Sequence, residues 1–185
     1  MTPLLLAAAL ILEPVEGGRL LLEVFKTGLM SGKKHQFVFP RYRGTLQYDA
    51  QAVEKSRVEL TIEAGAIECK DTWLSDKDRK KVMELTLGPE MLGVNRHPQI
   101  HFVSSSITRH AEGRYRAQGR LTIRGIGKPV TLELTVQEQG GGLRLEGRAE
   151  IRLKDYNLKP PSALLGAVGT RNEMSFEFVL LAKDL

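Results

Sequence analysis

Residues 114–137 read RYRAQGRLTIRGIGKPVTLELTVQ, two runs of strand-forming residues joined across Arg124–Lys128, where two glycines stand with no helix after them. Val130, Leu132, Leu134 and Val136 alternate with polar residues, the period of a strand with one buried and one wet face. Leu121 and Ile123 supply an apolar face in the first run, so the join reads as a hairpin turn rather than a phosphate loop. The runs are long, about nine to eleven residues against the usual five or six. Long strands twist and curl, and closing the curl removes edges that would otherwise pair with other chains. The pair therefore favours a barrel over a sandwich.

Working outward, the same alternation returns. Ser56–Glu63 (SRVELTIE) points Val58, Leu60 and Ile62 one way. Arg19–Lys26 carries Leu20, Leu22 and Val24 on one face; Phe37 and Phe39 precede Pro40; Leu46 and Tyr48 follow Gly44. Beyond Pro98, Ile100–Thr108 begins with Ile100 and Phe102 inward, Leu143–Leu153 alternates through Leu145, Gly147, Ala149 and Ile151, and Glu173–Leu181 through Met174, Phe176, Phe178 and Leu180. Between the two sets, Ser75–Leu87 is the one helix, opened by Ser75 and Asp78 in a capping-box pattern and closed by Gly88-Pro89.

Composition sets the outer bounds. The chain of 185 residues is 42% hydrophobic and 26% charged, which excludes disorder throughout and suits one domain over residues 1–185. A net charge of +5 favours transient contact with anionic membrane surfaces but is too small to imply nucleic acid. The apolar run Met1–Leu12 is shorter than the roughly 20 residues of a membrane span. No Lys or Arg precedes its core, so Ala9–Leu12 is read as a buried first strand, against the competing reading of residues 1–9 as part of a leader. That tilts localisation toward the cytoplasm over export without deciding it.

The chemical inventory is thin. His97 and His101 straddle Pro98 in extended chain, which would set them about 13 Å apart, too far for one metal. Ser104–Ser106 lacks a nucleophile elbow, and Cys69, the single cysteine, has no nearby histidine in sequence. An enzyme at the barrel mouth, a hydrolase or isomerase of lipophilic substrates, would have to draw on Ser104, Ser106, His101 and Tyr48. A basic interaction module would use Arg41, Arg43 and the Lys77–Lys81 run, although a solvated helix face explains that run without aromatic interleaving. No catalytic residue, metal or cofactor is expected.

Two stretches are more specific. His97–Ser105 (HPQIHFVSS) resembles the P-x-I-x-F-x-S strand of the YceI-like family of bacterial polyisoprenoid-binding, lipocalin-like proteins, and Gly119–Val130 is similar to that family's G-x-L-T-x-x-G-x-x-K-P-V hairpin. Lys26-Thr27-Gly28 with Lys34-His35, and Leu158-Lys159-Pro160 with Gly166, resemble further elements of one branch. The resemblance implies an all-β fold: an elongated antiparallel barrel of eight strands with one helix, an apolar channel for a prenyl chain or similar amphiphile, and often a homodimer. The expected function is non-enzymatic carriage of an apolar, chain-like ligand such as a polyisoprenoid, isoprenoid quinone or fatty-acid-like amphiphile. The expected lining comes from Leu22, Val24, Phe37, Phe39, Tyr48, Leu60 and Ile62 in the first half. The second half adds Ile100, Phe102, Leu121, Ile123, Leu132, Leu134, Leu145, Phe176 and Phe178, with Trp73 and Leu85 closing one end.

Overall fold

The computed structural model describes residues 8–184. Its strands are β1 (Ala8–Leu12), β2 (Arg19–Gly28), β3 (Lys34–Val38), β4 (Tyr42–Tyr48), β5 (Arg57–Glu63) and β6 (Glu68–Cys69). Helix α1 (Asp76–Leu87) follows, then β7 (Gln99–Ala111), β8 (Arg114–Ile123), β9 (Ile126–Gln139), β10 (Gly142–Arg152) and β11 (Val168–Asp184). The ring β1–β4–β5–β7–β8–β9–β10–β11 returns to β1, a closed antiparallel barrel of eight strands. Strands β2, β3 and β6 prolong its first three walls. Along one edge of β11, residues 182–184 pair with β1 and residues 168–179 with β2. Likewise β4 pairs with β1 and β5, while β3 pairs with β2 and β6.

The breaks in those walls have local causes. Glu13-Pro14 and Gly17-Gly18 separate β1 from β2, Pro40 separates β3 from β4, and a 3-10 turn at Ala64–Ala66 separates β5 from β6. From β7 onward every wall is one strand. At Gly119 and Gly147 aromatic rings fill the place of a side chain: a Cβ on Gly119 would lie 2.5 Å from the Phe102 ring, and one on Gly147 would lie 2.7 Å from that of Phe178.

Two strand starts differ from the sequence reading by three residues or more. Strand β9 starts at Ile126 rather than Pro129, because the hairpin turn is only Arg124-Gly125, with φ of 53° and 74°. Pro129 is tolerated inside it because β9 pairs with β10 only from Glu133 to Gln139, so Pro129 has no ladder on that side. Strand β11 starts at Val168 rather than Glu173; a register shift between Thr170 and Met174 interrupts its alternation. The first strand includes the expected Ala9–Leu12, and residues 1–7 of the leader reading lie outside the described residues. Helix α1 begins as expected, with the Ser75 hydroxyl accepting the Asp78 N–H at 3.1 Å.

Candidate ligand-binding lumen

Inward-facing residues of all eight walls surround a cavity of about 330 Å³, within the usual range of roughly 300–1,000 Å³ for small-molecule sites. Its lining includes all but one of the residues expected from sequence. Leu22, Val24, Phe37 and Phe39 come from the first two walls or their junctions, Tyr48 from β4, and Leu60 and Ile62 from β5. Ile100, Phe102, Leu121, Ile123, Leu132, Leu134, Leu145, Phe176 and Phe178 complete the barrel wall, and Leu85 faces in from α1. Trp73 is the exception. Its ring stacks on His35 at 5.4 Å and its indole N–H donates to the Lys34 carbonyl at 3.1 Å, so it stands one ring behind the lining.

One end is sealed. Val53, in a 3-10 turn between β4 and β5, packs with Ile107, Tyr115 and Ala117, all buried. Asp49 holds the turn by accepting the N–H groups of Gln51 and Ala52, each at 2.9 Å, and the fully buried Ser56 hydroxyl accepts the Asp49 N–H at 3.1 Å. The polar side chains that line the cavity at this end, Tyr48, Ser56 and Tyr115, all carry hydroxyls. Burial first, then Tyr115, pushes the Tyr48 phenol above its ordinary range, so it stays neutral at physiological pH.

The opposite end is a mouth framed by α1 and the segment after β10. Val82, Leu85, Thr86, Met91 and Leu92 line it on one side, Pro161, Ser162 and Ala163 on the other. The period of β2 carries its inward face through Leu20, Leu22 and Val24 to Lys26, beside Thr170 in the register with β11. Among the described residues of the lining, Lys26 is the only Lys or Arg, and none is Asp or Glu. It makes no ion pair among the described residues, and burial holds its pKa below the usual lysine value. Next to it, His35 lines the lumen with its Nδ1 directed to the buried Asp71 carboxylate at 2.6 Å; that carboxylate also accepts the Gln36 N–H at 2.7 Å. The mouth therefore offers a cation and an oriented imidazole to whatever projects from an apolar interior.

The polar candidates for enzyme chemistry do not converge. His101 meets the Thr61 hydroxyl at 3.2 Å on the outer face, where both alternate with inward Phe102 and Ile62. The buried Ser104 hydroxyl is occupied by the Val58 N–H at 2.9 Å, Ser106 bonds Gln118 on the surface, and Tyr48 belongs to the sealed half of the cavity. Cys69 is buried near Asp71. Burial leads, with help from the Asp71 charge, in pushing its thiol up, the reverse of an activated nucleophile. Sequence reasoning missed Lys26, His35 and the Val53 seal. The alternation of β2, followed two residues past Val24, would have found the first.

Known proteins agree with this architecture. The chain matches the YceI-like domain over residues 22–180. It is 32% identical over 126 residues to the UPF0312 protein YE1254 of Yersinia enterocolitica and 31% identical to the protein YceI of Salmonella arizonae; each alignment covers 65% of this chain and 61% of the relative. The match thus spans less than two thirds of those relatives' length. In fold, the chain is similar to Burkholderia cenocepacia BcnA, with a TM-score of 0.72 at 20% identity, covering 89% of this chain and 96% of that one. It is also similar to a Campylobacter jejuni YceI protein, with a TM-score of 0.65 at 12% identity, covering 80% and 85%. With the family's domain matched across nearly all of the barrel, the chain belongs to the YceI-like family.

Proposed function

We propose that this protein is a non-enzymatic carrier of a single-chain amphiphile, holding the tail along the lumen toward Val53 and the polar head at Lys26. The observation that carries this reading is the polarity of the lining: apolar along its length, sealed by Val53, Ile107 and Tyr115, and cationic only at the mouth. From Tyr115 to Ile123, β8 runs about 27 Å at roughly 3.4 Å per residue, or roughly 20 Å along the axis at the usual tilt of a barrel strand, room for an extended hydrocarbon chain. Each buried methylene contributes about 0.8 kcal/mol, so ten supply roughly 8 kcal/mol, a micromolar Kd before ordering costs. Prenyl and acyl chains both satisfy these requirements.

The test is mass spectrometry of organic extracts from the purified protein, beside the variants Phe102→Arg and Leu134→Trp. The reading expects an amphiphile in the wild-type extract, lost from both variants. The tryptophan variant keeps the lumen apolar and so separates blocked binding from a folding defect. A wild-type protein that yields no amphiphile, and takes up none when offered prenyl or acyl chains, contradicts it.

A further inference from the structure

Five large hydrophobic side chains are exposed among the described residues, and four of them, Leu29, Leu85, Leu164 and Leu165, stand at the mouth end. Leu29 is 78% exposed, Leu164 69%, and Leu165 entirely so. The two adjacent leucines form the tip of a tight turn, Leu164–Ala167, closed by paired backbone hydrogen bonds between Ala163 and Val168 of 2.8 and 3.2 Å. Both have left-handed backbones, with φ of 51° and 56°, a region that leucine seldom adopts. The turn that follows β2 lies against this tip, with the Leu29 N–H donating to the Ala167 carbonyl at 2.9 Å. Water gives no reason to hold two leucines outward in a costly conformation.

Within the two segments that build the tip, charge has one sign. The segments forming it, residues 26–34 (KTGLMSGKK) and 159–171 (KPPSALLGAVGTR), contain Lys26, Lys33, Lys34, Lys159 and Arg171 and no Asp or Glu. Lys34 is paired with Glu23 on β2; Lys33 and Arg171 extend over the rings of Trp73 and Phe25. An apolar point carried on two segments whose charged residues are all cations is complementary to an anionic bilayer, in which leucines enter the acyl region and lysines meet the head groups. The point also adjoins the lumen, since Ala163, at the base of the turn, lines it.

We propose that the Leu164–Leu165 turn and the adjacent Leu29 turn dock this protein, mouth first, on anionic lipid bilayers. The proposal builds on the carrier reading, because docking there sets the mouth of the lumen against the lipid.

Co-sedimentation tests it, using vesicles of phosphatidylcholine alone and vesicles with phosphatidylglycerol added. Wild-type protein is expected to bind the anionic vesicles, to bind the neutral ones weakly, and to be released by raised salt. The double variant Leu164→Asn/Leu165→Asn should bind at least about tenfold more weakly. Asparagine accepts left-handed backbone better than leucine, so its melting temperature should match or exceed the wild type. Uptake of a fluorescent acyl chain delivered from ethanol, without vesicles, separates the two readings. Uptake that survives while anionic vesicles are ignored overturns docking alone; docking without uptake overturns the carrier alone. Wild-type protein that instead self-associates through these leucines, with the double variant monomeric, also overturns docking and assigns the tip to a second copy of the chain.

Discussion

The end of the barrel at Val53 and the end at Lys26 bound the same lumen, yet one is closed by side chains that pack on each other and the other opens between side chains that meet solvent. Val53, Ile107, Tyr115 and Ala117 are all buried, and the Asp49 turn fixes their plug from behind. At the mouth no residue of α1 is fully buried, and Leu85 both lines the lumen and meets solvent. On the proposed reading, stability and ligand choice lie at opposite ends. The plug adds to the core, whereas the mouth keeps an unpaired ammonium and exposed leucines that do little for folding.

The largest effect should come from breaking the plug. Val53→Asp puts an uncompensated carboxylate in an apolar contact and is expected to cost about 3 kcal/mol in denaturant unfolding. Leu85→Asp at the half-open mouth should cost under about 1 kcal/mol. Equal losses at both ends would erase the contrast. Next, Lys26→Glu should weaken binding of a long-chain carboxylate about tenfold while leaving the matching alcohol nearly unaffected, as measured by competition with a fluorescent chain. If acid and alcohol fall together, Lys26 is only part of the wall.

The smallest effect concerns the outer side of the mouth. Burial of Glu23 acts to raise its carboxyl pKa, but hydrogen bonds from Lys34 and Gln36 and the charges of Lys34 and Arg19 outweigh it, leaving the pKa below 4.5. A depressed folded pKa stabilises the protein above the unfolded value, and that stability is lost as pH falls through the folded value. Glu23→Gln should therefore cost about 0.5 kcal/mol near neutrality, and the two proteins should converge in acid. A difference independent of pH would assign Glu23 a packing role only.

Much of the wall was legible because β7 to β10 carry long, nearly uninterrupted period-two patterns, and inward positions such as Phe102 and Leu134 can be counted directly. The first three walls were harder. Each is split by proline, glycine or a 3-10 turn, so β3 and β4 read as separate strands although they follow each other along one wall. The register shift near Thr170 similarly hid the start of β11. At the ends, periodicity gives out. Val53 lies in a short turn with no repeat around it, and Leu164–Leu165 reads as one more apolar pair, because the backbone that turns it outward leaves no mark in hydropathy. Trp73 misled by its nearness to the helix; the ring is absorbed by His35 before it reaches the lumen.

Trp73 also supplies the most direct test, as the single tryptophan in the chain, set behind His35 at the mouth. Stearates carrying a nitroxide near the carboxylate or near the terminal methyl can be bound in turn and the quenching of Trp73 fluorescence compared. A tail reaching toward Val53 and a head at Lys26 predict strong quenching by the first and weak quenching by the second. Equal quenching, or stronger quenching from the methyl end, would contradict a lumen that receives its guest tail first.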